Sequence, residues 1–172
     1  MAPERVPALI FTLRGQGYGL LQDGAAALLP WLQRYTPVSP VPGVPAWLLG
    51  LLHVQGTVQA IVDLGLFMGH GEGARAAQTR LIFVEREELC AGLLVDSAAG
   101  VRYLDRIDYD GEAGGHPLLA ATATMNGEPV RIIDGARLIE SLARALGALD
   151  TPGAIAASTT PATTPATSGR SA

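Results

Sequence analysis

Along most of the chain, hydrophobic and polar residues run in short stretches with turn signals between them. This is the signature of strands rather than of long helices. Ala8–Leu13 and Gly19–Leu21 flank Arg14-Gly15-Gln16-Gly17, which reads as a hairpin turn. Leu48–Val54 and Val58–Val62 flank Gln55-Gly56, and Arg80–Glu85 and Cys90–Val95 flank a charged Arg86-Glu87-Glu88 turn. Ala121–Met125 and Val130–Ile133 flank Asn126-Gly127, the strongest two-residue hairpin signal in the chain. Pro37, Pro40, Pro42 and Pro45 enforce an extended connection that no helix could continue through. The period changes only near the end, where Asp134 can N-cap a helix carrying Leu138, Ile139, Leu142, Leu146 and Leu149. The pattern predicts a mainly β fold closed by one C-terminal helix.

The strand pattern occurs twice. Phe11 recurs as Phe83, Gly19-Leu20-Leu21 as Gly92-Leu93-Leu94, Gly56 as Gly127 and Asp63 as Asp134, in the same order and shifted by 71–73 residues. Two similar halves of roughly 70 residues suggest two small barrels, which remove exposed sheet edges by closure. Beyond the helix, residues 150–172 are Thr-, Pro- and Ala-rich and nearly uncharged, and are expected to form a disordered tail. Residues 1–149 then make up one double-barrel domain, its folded part starting near residue 6.

Composition narrows the function. Of the 172 residues 48% are hydrophobic and 16% charged, which excludes a wholly disordered protein. All 12 basic residues are arginine, against 16 acidic ones, a net charge of −4. No basic face for nucleic acid is visible, and a phosphate-binding Walker loop is excluded because the chain contains no lysine. The longest apolar run, 46–52, is far short of the ~20 residues of a membrane span, and residues 1–9 lack the apolar core of a signal peptide. A cytoplasmic protein without membrane insertion is expected.

No catalytic set is evident in the sequence. His53 ends an apolar strand, beside the hairpin and facing outward; His70 lies in a Gly-rich loop expected to be exposed, and His116 precedes Pro117. None has a second ligand at metal spacing, so no metal and no cofactor are expected. There is no G-x-S-x-G turn, and the glycines of Gly15-Gln16-Gly17-Tyr18-Gly19 are misplaced for a dinucleotide loop. Asp63 and Asp134 read as caps of the turn or helix after each, rather than as paired catalytic carboxylates. Asp105, Asp108 and Asp110 read as a solvated acidic loop around Arg106, and Cys90 as a buried, inert thiol. Trp31, Tyr35 and Trp47 read first as core residues, though aromatics of this kind also centre interfaces. A protein of this kind works through its surface.

Several stretches together resemble the CheW family, the coupling proteins of bacterial chemotaxis arrays. They are Leu9-Ile10-Phe11-Thr12-Leu13 with Tyr18-Gly19, Val41 to Gly50, Leu51-Leu52-His53-Val54-Gln55-Gly56 and Val58 to Leu64. The second half contributes Thr79 to Val84, Gly92 to Asp96 and Val130 to Leu138. The resemblance covers about residues 8–146. It implies two five-stranded, SH3-like barrels and a non-enzymatic adaptor that binds the regulatory domain of a CheA-type histidine kinase, barrel against barrel. It also implies that a chemoreceptor's cytoplasmic tip lies in a groove between the barrels, lined around Ala25, Ala27 and Leu28 and from Leu51 through His53, Val54, Gln55 and Gly56.

This chain departs from the family at that groove. The usual Asn-Leu-Arg-Gly is here His53-Val54-Gln55-Gly56, and an acidic position in the preceding helical turn falls on Ala27. A charge-assisted hydrogen bond contributes ~1.5–3 kcal/mol against ~0.5–1.5 for a neutral one. A divergent member with weakened receptor binding is therefore expected. The alternative is a CheW-like interaction domain that regulates another motility or two-component pathway and no longer binds a receptor.

Overall fold

In the computed structural model, residues 5–21, 27–34, 38–86, 89–109 and 115–149 are described, with the backbone alone for 27–34 and 86. The strands are β1 (Val6–Leu13), β2 (Gln16–Leu21), β3 (Ala27–Arg34), β4 (Leu48–Val54), β5 (Thr57–Asp63), β6 (Arg80–Arg86), β7 (Leu89–Val95), β8 (Ser97–Leu104), β9 (Arg106–Asp108), β10 (Leu119–Met125) and β11 (Glu128–Ile133). Two helices, α1 (Leu64–Phe67) and α2 (Gly135–Gly147), come directly after β5 and β11. Three hairpins close through two-residue turns with both central residues in the left-handed region: Arg14-Gly15, Gln55-Gly56 and Asn126-Gly127. That geometry matches the right-handed twist of the flanking strands. The turn expected at Glu87-Glu88 and the tail at 150–172 lie outside the described residues.

The strand order is β8-β1-β2-β11-β10-β9 in one sheet and β3-β6-β7-β5-β4 in the other. Apart from β9, which has no counterpart, the two orders match position by position, with β1-β2 equivalent to β6-β7, β8 to β3, and β10-β11 to β4-β5. The repeat is therefore real in the wiring. One expectation needs correction, because the sequence halves do not each close their own barrel. The first half sends its leading hairpin into the sheet completed by β8–β11, and the second half sends β6-β7 into the sheet of β3–β5. The seam in each sheet is a parallel pair, β2 with β11 and β5 with β7. Parallel neighbours need a long crossover, and exchange of hairpins provides one. Equivalent glycines sit at both seams. A Cβ on Gly19 would lie 2.9 Å from Ile132 Cδ1, and one on Gly92 would lie 2.6 Å from Ile61 Cδ1.

Both sheets curl to closure. β8 and β9 stand at opposite edges of the first sheet yet are one chain segment bent at Asp105, so the sheet closes on itself as a five-stranded barrel. In the second, Ser39 exchanges two backbone hydrogen bonds with Leu51, 3.1 and 2.9 Å, which links the segment after β3 to β4. Pro40 has no N–H to donate beyond that point. Bulges at Leu48/Gly50 and Leu119/Ala121 bend the matching strands.

Three apolar clusters result. Ile10, Leu104, Ala123 and Ile132 are among those filling one barrel, and Ile61, Leu81, Phe83 and Leu94 fill the other. The third lies between the barrels and under α2, and includes Phe11, Tyr18, Leu64, Val84, Leu93 and Leu142. α2 starts where the sequence predicts, with Asp134 Oδ1 accepting from Arg137 N–H at 3.0 Å, and buries Leu138, Ile139, Leu142 and Leu146. Each such side chain contributes ~1.5–3 kcal/mol by burial.

Three elements differ from the sequence pattern. β3 occupies the place of the helical turn expected near Ala27, and its register shifts between Leu28 and Leu32 around Pro30, which cannot donate to a ladder. β8 exposes residues on both faces, so it carries no alternation. β9 replaces the expected acidic loop: Arg106 Nε donates to Asp108 Oδ1 at 2.8 Å, and the strand pairs with Thr122–Thr124 of β10.

Candidate functional site

The β4-β5 hairpin ends in an exposed turn at one end of the second barrel. Its last pairs are His53 with Val58 and Val54 with Thr57, and Gln55 and Gly56 form the tip. His53, Gln55 and Gly56 are exposed, Val54 is half-buried, and Val58 is 44% exposed. His53 does point outward, as its position beside the turn suggests. Ala27 and Leu28 pair with Glu85 and Val84 of β6. In the antiparallel β6-β7 hairpin, Glu85 pairs with Cys90. Since β7 runs parallel to β5, the hairpin tip, Ala27, Leu28, Glu85 and Cys90 all stand at the same end of one barrel. Ala25 lies outside the described residues.

A cleft of about 260 Å³ opens at this end. Val54, Gln55 and Thr57 form its hairpin side, and Gln59, Phe83, Glu85 and Cys90 its floor and far wall. Along β5, Gln59 alternates in phase with Ile61, and along β6 Glu85 is in phase with Phe83. Both Ile61 and Phe83 point into the barrel, so the cleft is the barrel's mouth. All its walls come from β4–β7 and the turn between β4 and β5, rather than from two barrels.

The lining mixes apolar Val54 and Phe83 with polar Gln55, Thr57, Gln59, Glu85 and Cys90, and among the described residues no basic side chain joins it. Gln59 is 6% exposed, and its side-chain Oε1 is buried without a hydrogen-bond partner. Cys90, expected to be buried, is half-buried instead. Burial first, then the Glu85 charge and the hydrogen bond from the thiol to Glu85, push its pKa above the ordinary thiol value. The thiol is held protonated, which agrees with an inert role. Sequence reasoning missed Gln59 and Glu85, because each is an ordinary polar position in its own strand. The strand register carries the signal: it sets Phe83 against Ile10 rather than against Phe11 as the sequence repeat does, and so puts Val130 and Thr12 at the equivalent places.

A second polar cluster ties the barrels together. The Arg14 guanidinium donates from Nη1 to Asp96 Oδ1 at 2.7 Å, from Nη2 to Asp63 Oδ1 at 3.2 Å, and from Nε and Nη2 to Gly71 O at 3.0 and 2.7 Å. The backbone N–H of Arg14 donates to Asp96 Oδ2. Asp63 also caps α1, accepting from Leu66 N–H at 3.0 Å, so its expected role stands and the ion pair is added to it. Close by, the hydroxyl of fully buried Tyr18 lies 2.8 Å from His70 Nε2. His70 is exposed, as expected, but it is not a free linker residue. Burial, then the charges of His116, Arg131 and Arg14, lower its pKa below the ordinary value of 6.5.

The other candidates take structural places. His116 Nδ1 accepts from Leu118 N–H at 3.2 Å, and Trp47 packs edge-on to Phe67 at 5.1 Å between ring centroids. Tyr35, Asp110 and the Trp31 side chain lie outside the described residues. Among the described residues, no group of three or more His, Cys, Asp or Glu is placed to hold a metal ion, and no helix is long and apolar enough to cross a membrane.

Comparison with known proteins places this geometry. The profile of the CheW-like domain matches residues 7–143. Protein PilI of Pseudomonas aeruginosa is 36% identical over 70 residues, 41% of this chain and 38% of PilI. Protein FrzA of Myxococcus xanthus is 26% identical over 110 residues, 60% of this chain and 69% of FrzA. A chemotaxis protein CheW of Rhizobium meliloti is 29% identical over 70 residues, 41% of this chain and 45% of that protein. The matched parts are thus less than half the length of PilI and of the Rhizobium protein. The crystal structure of the scaffolding protein TtCheW from Thermoanaerobacter tengcongensis superposes with a TM-score of 0.67 at 21% identity, over 79% of this chain and 88% of that one. That likeness supports the SH3-like double-barrel fold. The profile spans the sequence from β1 into α2, and the chain belongs to the CheW-like domain family.

Proposed function

We propose that this chain is a non-enzymatic adaptor of bacterial chemotaxis signalling, coupling a chemoreceptor's cytoplasmic tip to the regulatory domain of a CheA-type histidine kinase in the cytoplasm. The observation that carries this reading is the family match over residues 7–143, from the first strand into the last helix. The exposed β4-β5 hairpin at one barrel end supports it, since a solvent-facing turn is free to meet a partner. Two of the similar proteins, one a chemotaxis protein and the other a scaffolding protein, point the same way.

One observation favours a second reading. Gln55 stands at the tip where the family resemblance expects arginine, and Ala27 where it expects an acid. A CheW-like interaction domain that acts in another motility or two-component pathway, without binding a receptor, fits those two residues.

Calorimetric titration with a kinase regulatory domain and a receptor tip from the same organism separates the readings. Binding of both at micromolar affinity supports coupling, and binding of the kinase domain alone supports the second reading. Absence of both interactions at tens of micromolar refutes the coupling proposal.

A further inference from the structure

The two barrels share one topology, so each mouth serves as a control for the other. The Glu85–Cys90 pair lies two residues nearer the hairpin turn than Phe83–Gly92, as Thr12–Gly17 does relative to Ile10–Gly19. Gln59 precedes Ile61 at one parallel seam as Val130 precedes Ile132 at the other. The fold therefore tolerates valine, threonine and glycine at this trio of places. In the first barrel they fill the space: Val130 is 2% exposed, and a Cβ on Gly17 would lie 3.8 Å from its Cγ2. Thr12 finds a partner in Ser97, 2.7 Å away. In the second barrel the same places hold an amide, a carboxylate and a thiol around an open cleft, and the amide oxygen is buried without a partner. A buried acceptor left unpaired is costly, and nothing in the barrel architecture demands it.

We infer that the mouth of the second barrel is a socket for an arginine side chain of the protein that docks on this end. The socket needs donors, because Gln59 Oε1 is buried without a partner and, among the described residues, no basic side chain joins the Glu85 carboxylate in the cleft. A guanidinium has five donors, no acceptor and a fixed positive charge, whereas an incoming amide would set its own oxygen against Glu85. The walls of Val54 and Phe83 suit the aliphatic stem and the planar head. Against a water's share of about 30 Å³ of liquid volume, the cleft of about 260 Å³ leaves ample room for the head group. The inference deepens the adaptor reading by naming the chemistry that a partner must present at this end.

The test is an amide-proton NMR titration of the full chain with N-acetyl-arginine amide, and with the neutral citrulline analogue as control. The arginine probe is expected to give a saturable shift of the Gln59 side-chain amide and of the Cys90 backbone, at millimolar affinity. Citrulline should bind roughly tenfold more weakly, as should arginine on Glu85→Gln. Gln59→Val, which copies the other barrel, should abolish the shift at Cys90 while leaving the melting temperature unchanged or higher, so loss of fold cannot imitate loss of the socket. No saturable shift up to ~100 mM probe, or equal binding of citrulline, overturns the inference. If the probe is captured while neither kinase domain nor receptor tip binds, the adaptor reading fails and the socket stands. If those partners bind wild type and Gln59→Val alike and the probe is not captured, the socket fails and the adaptor reading stands.

Discussion

Replacing Arg14 by asparagine isolates the tie between the barrels. Arg14 sits at φ 51 in the turn between β1 and β2, and the equivalent-type turn between β10 and β11 is Asn126-Gly127. Arg14→Asn therefore puts a favoured pair into that turn, and any loss of stability belongs to the guanidinium. Removing one partner of a buried ion pair costs ~3–5 kcal/mol because the other is left uncompensated. Here the cost is lower, since the side chains of Arg14 and Asp96 are 18% and 30% exposed. Asp63 is only 7% exposed but keeps the Leu66 N–H. The expected loss is about 2–3 kcal/mol, or a fall in Tm of roughly 4–12 °C for a fold of this size. Urea unfolding with an unchanged m-value is the assay. Combining Arg14→Asn with Asp96→Asn should give less than the sum of the two single losses. A single-variant loss below ~0.5 kcal/mol would place this cluster among ordinary surface pairs and refute the argument.

Gln55→Arg should tighten binding of a receptor tip from the same organism by about tenfold in calorimetry, the step from a neutral to a charge-assisted hydrogen bond; equal or weaker binding counts against the tip as a receptor-binding element. Gly92→Ala should cost ~1–3 kcal/mol by overpacking against Ile61, and Ile61→Val, which removes the Cδ1 that the new Cβ meets, should recover much of it in the same unfolding assay. Cys90 should react slowly with a disulfide reagent near neutral pH, and Glu85→Gln should speed the reaction, because removing the carboxylate lowers the thiol's pKa. For His70 the folded pKa lies below 6.5, so the unfolded chain binds more protons as pH drops. Stability should be complete above the unfolded pKa and decline as pH falls from 6.5 through the folded value, and Tyr18→Phe should alter that slope in pH-dependent melting.

The hairpins were legible because each joins a local period-2 pattern to a turn that needs left-handed residues. Asn126-Gly127 and Gln55-Gly56 mark their own positions. β3 was not legible, since Leu28-Leu29-Pro30-Trp31-Leu32 is a continuous apolar run with a proline in it, and only pairing with β6 makes it a strand. β9 escaped for a related reason: three residues, two of them charged, gain strand geometry from β10 alone. The hairpin exchange depends on the parallel seams between residues far separated in sequence, and local periodicity has no term for those. The same holds for the polar residues of the mouth, where Gln59, Glu85 and Cys90 lie on three strands and meet only when the barrel closes. Arg14 looked like a turn residue because its carboxylate partners are 49 and 82 positions away.

The hairpin exchange also sets an order of events during synthesis. β2 leaves the ribosome early, but its parallel neighbour β11 begins at Glu128, after most of the folded chain has been made. At ~5–20 residues per second, the leading hairpin waits roughly 5–20 s with one strand edge bare. The first sheet to be completed is therefore the second barrel, whose last strand in chain order is β7, ending at Val95. A nascent chain stalled once Val95 has cleared the ribosome should protect β3–β7 from proteolysis while β1-β2 remains cleavable. By the same logic, two fragments divided in the 70–78 loop should be unstable separately and fold only when mixed, because each holds the strands that the other's sheet lacks.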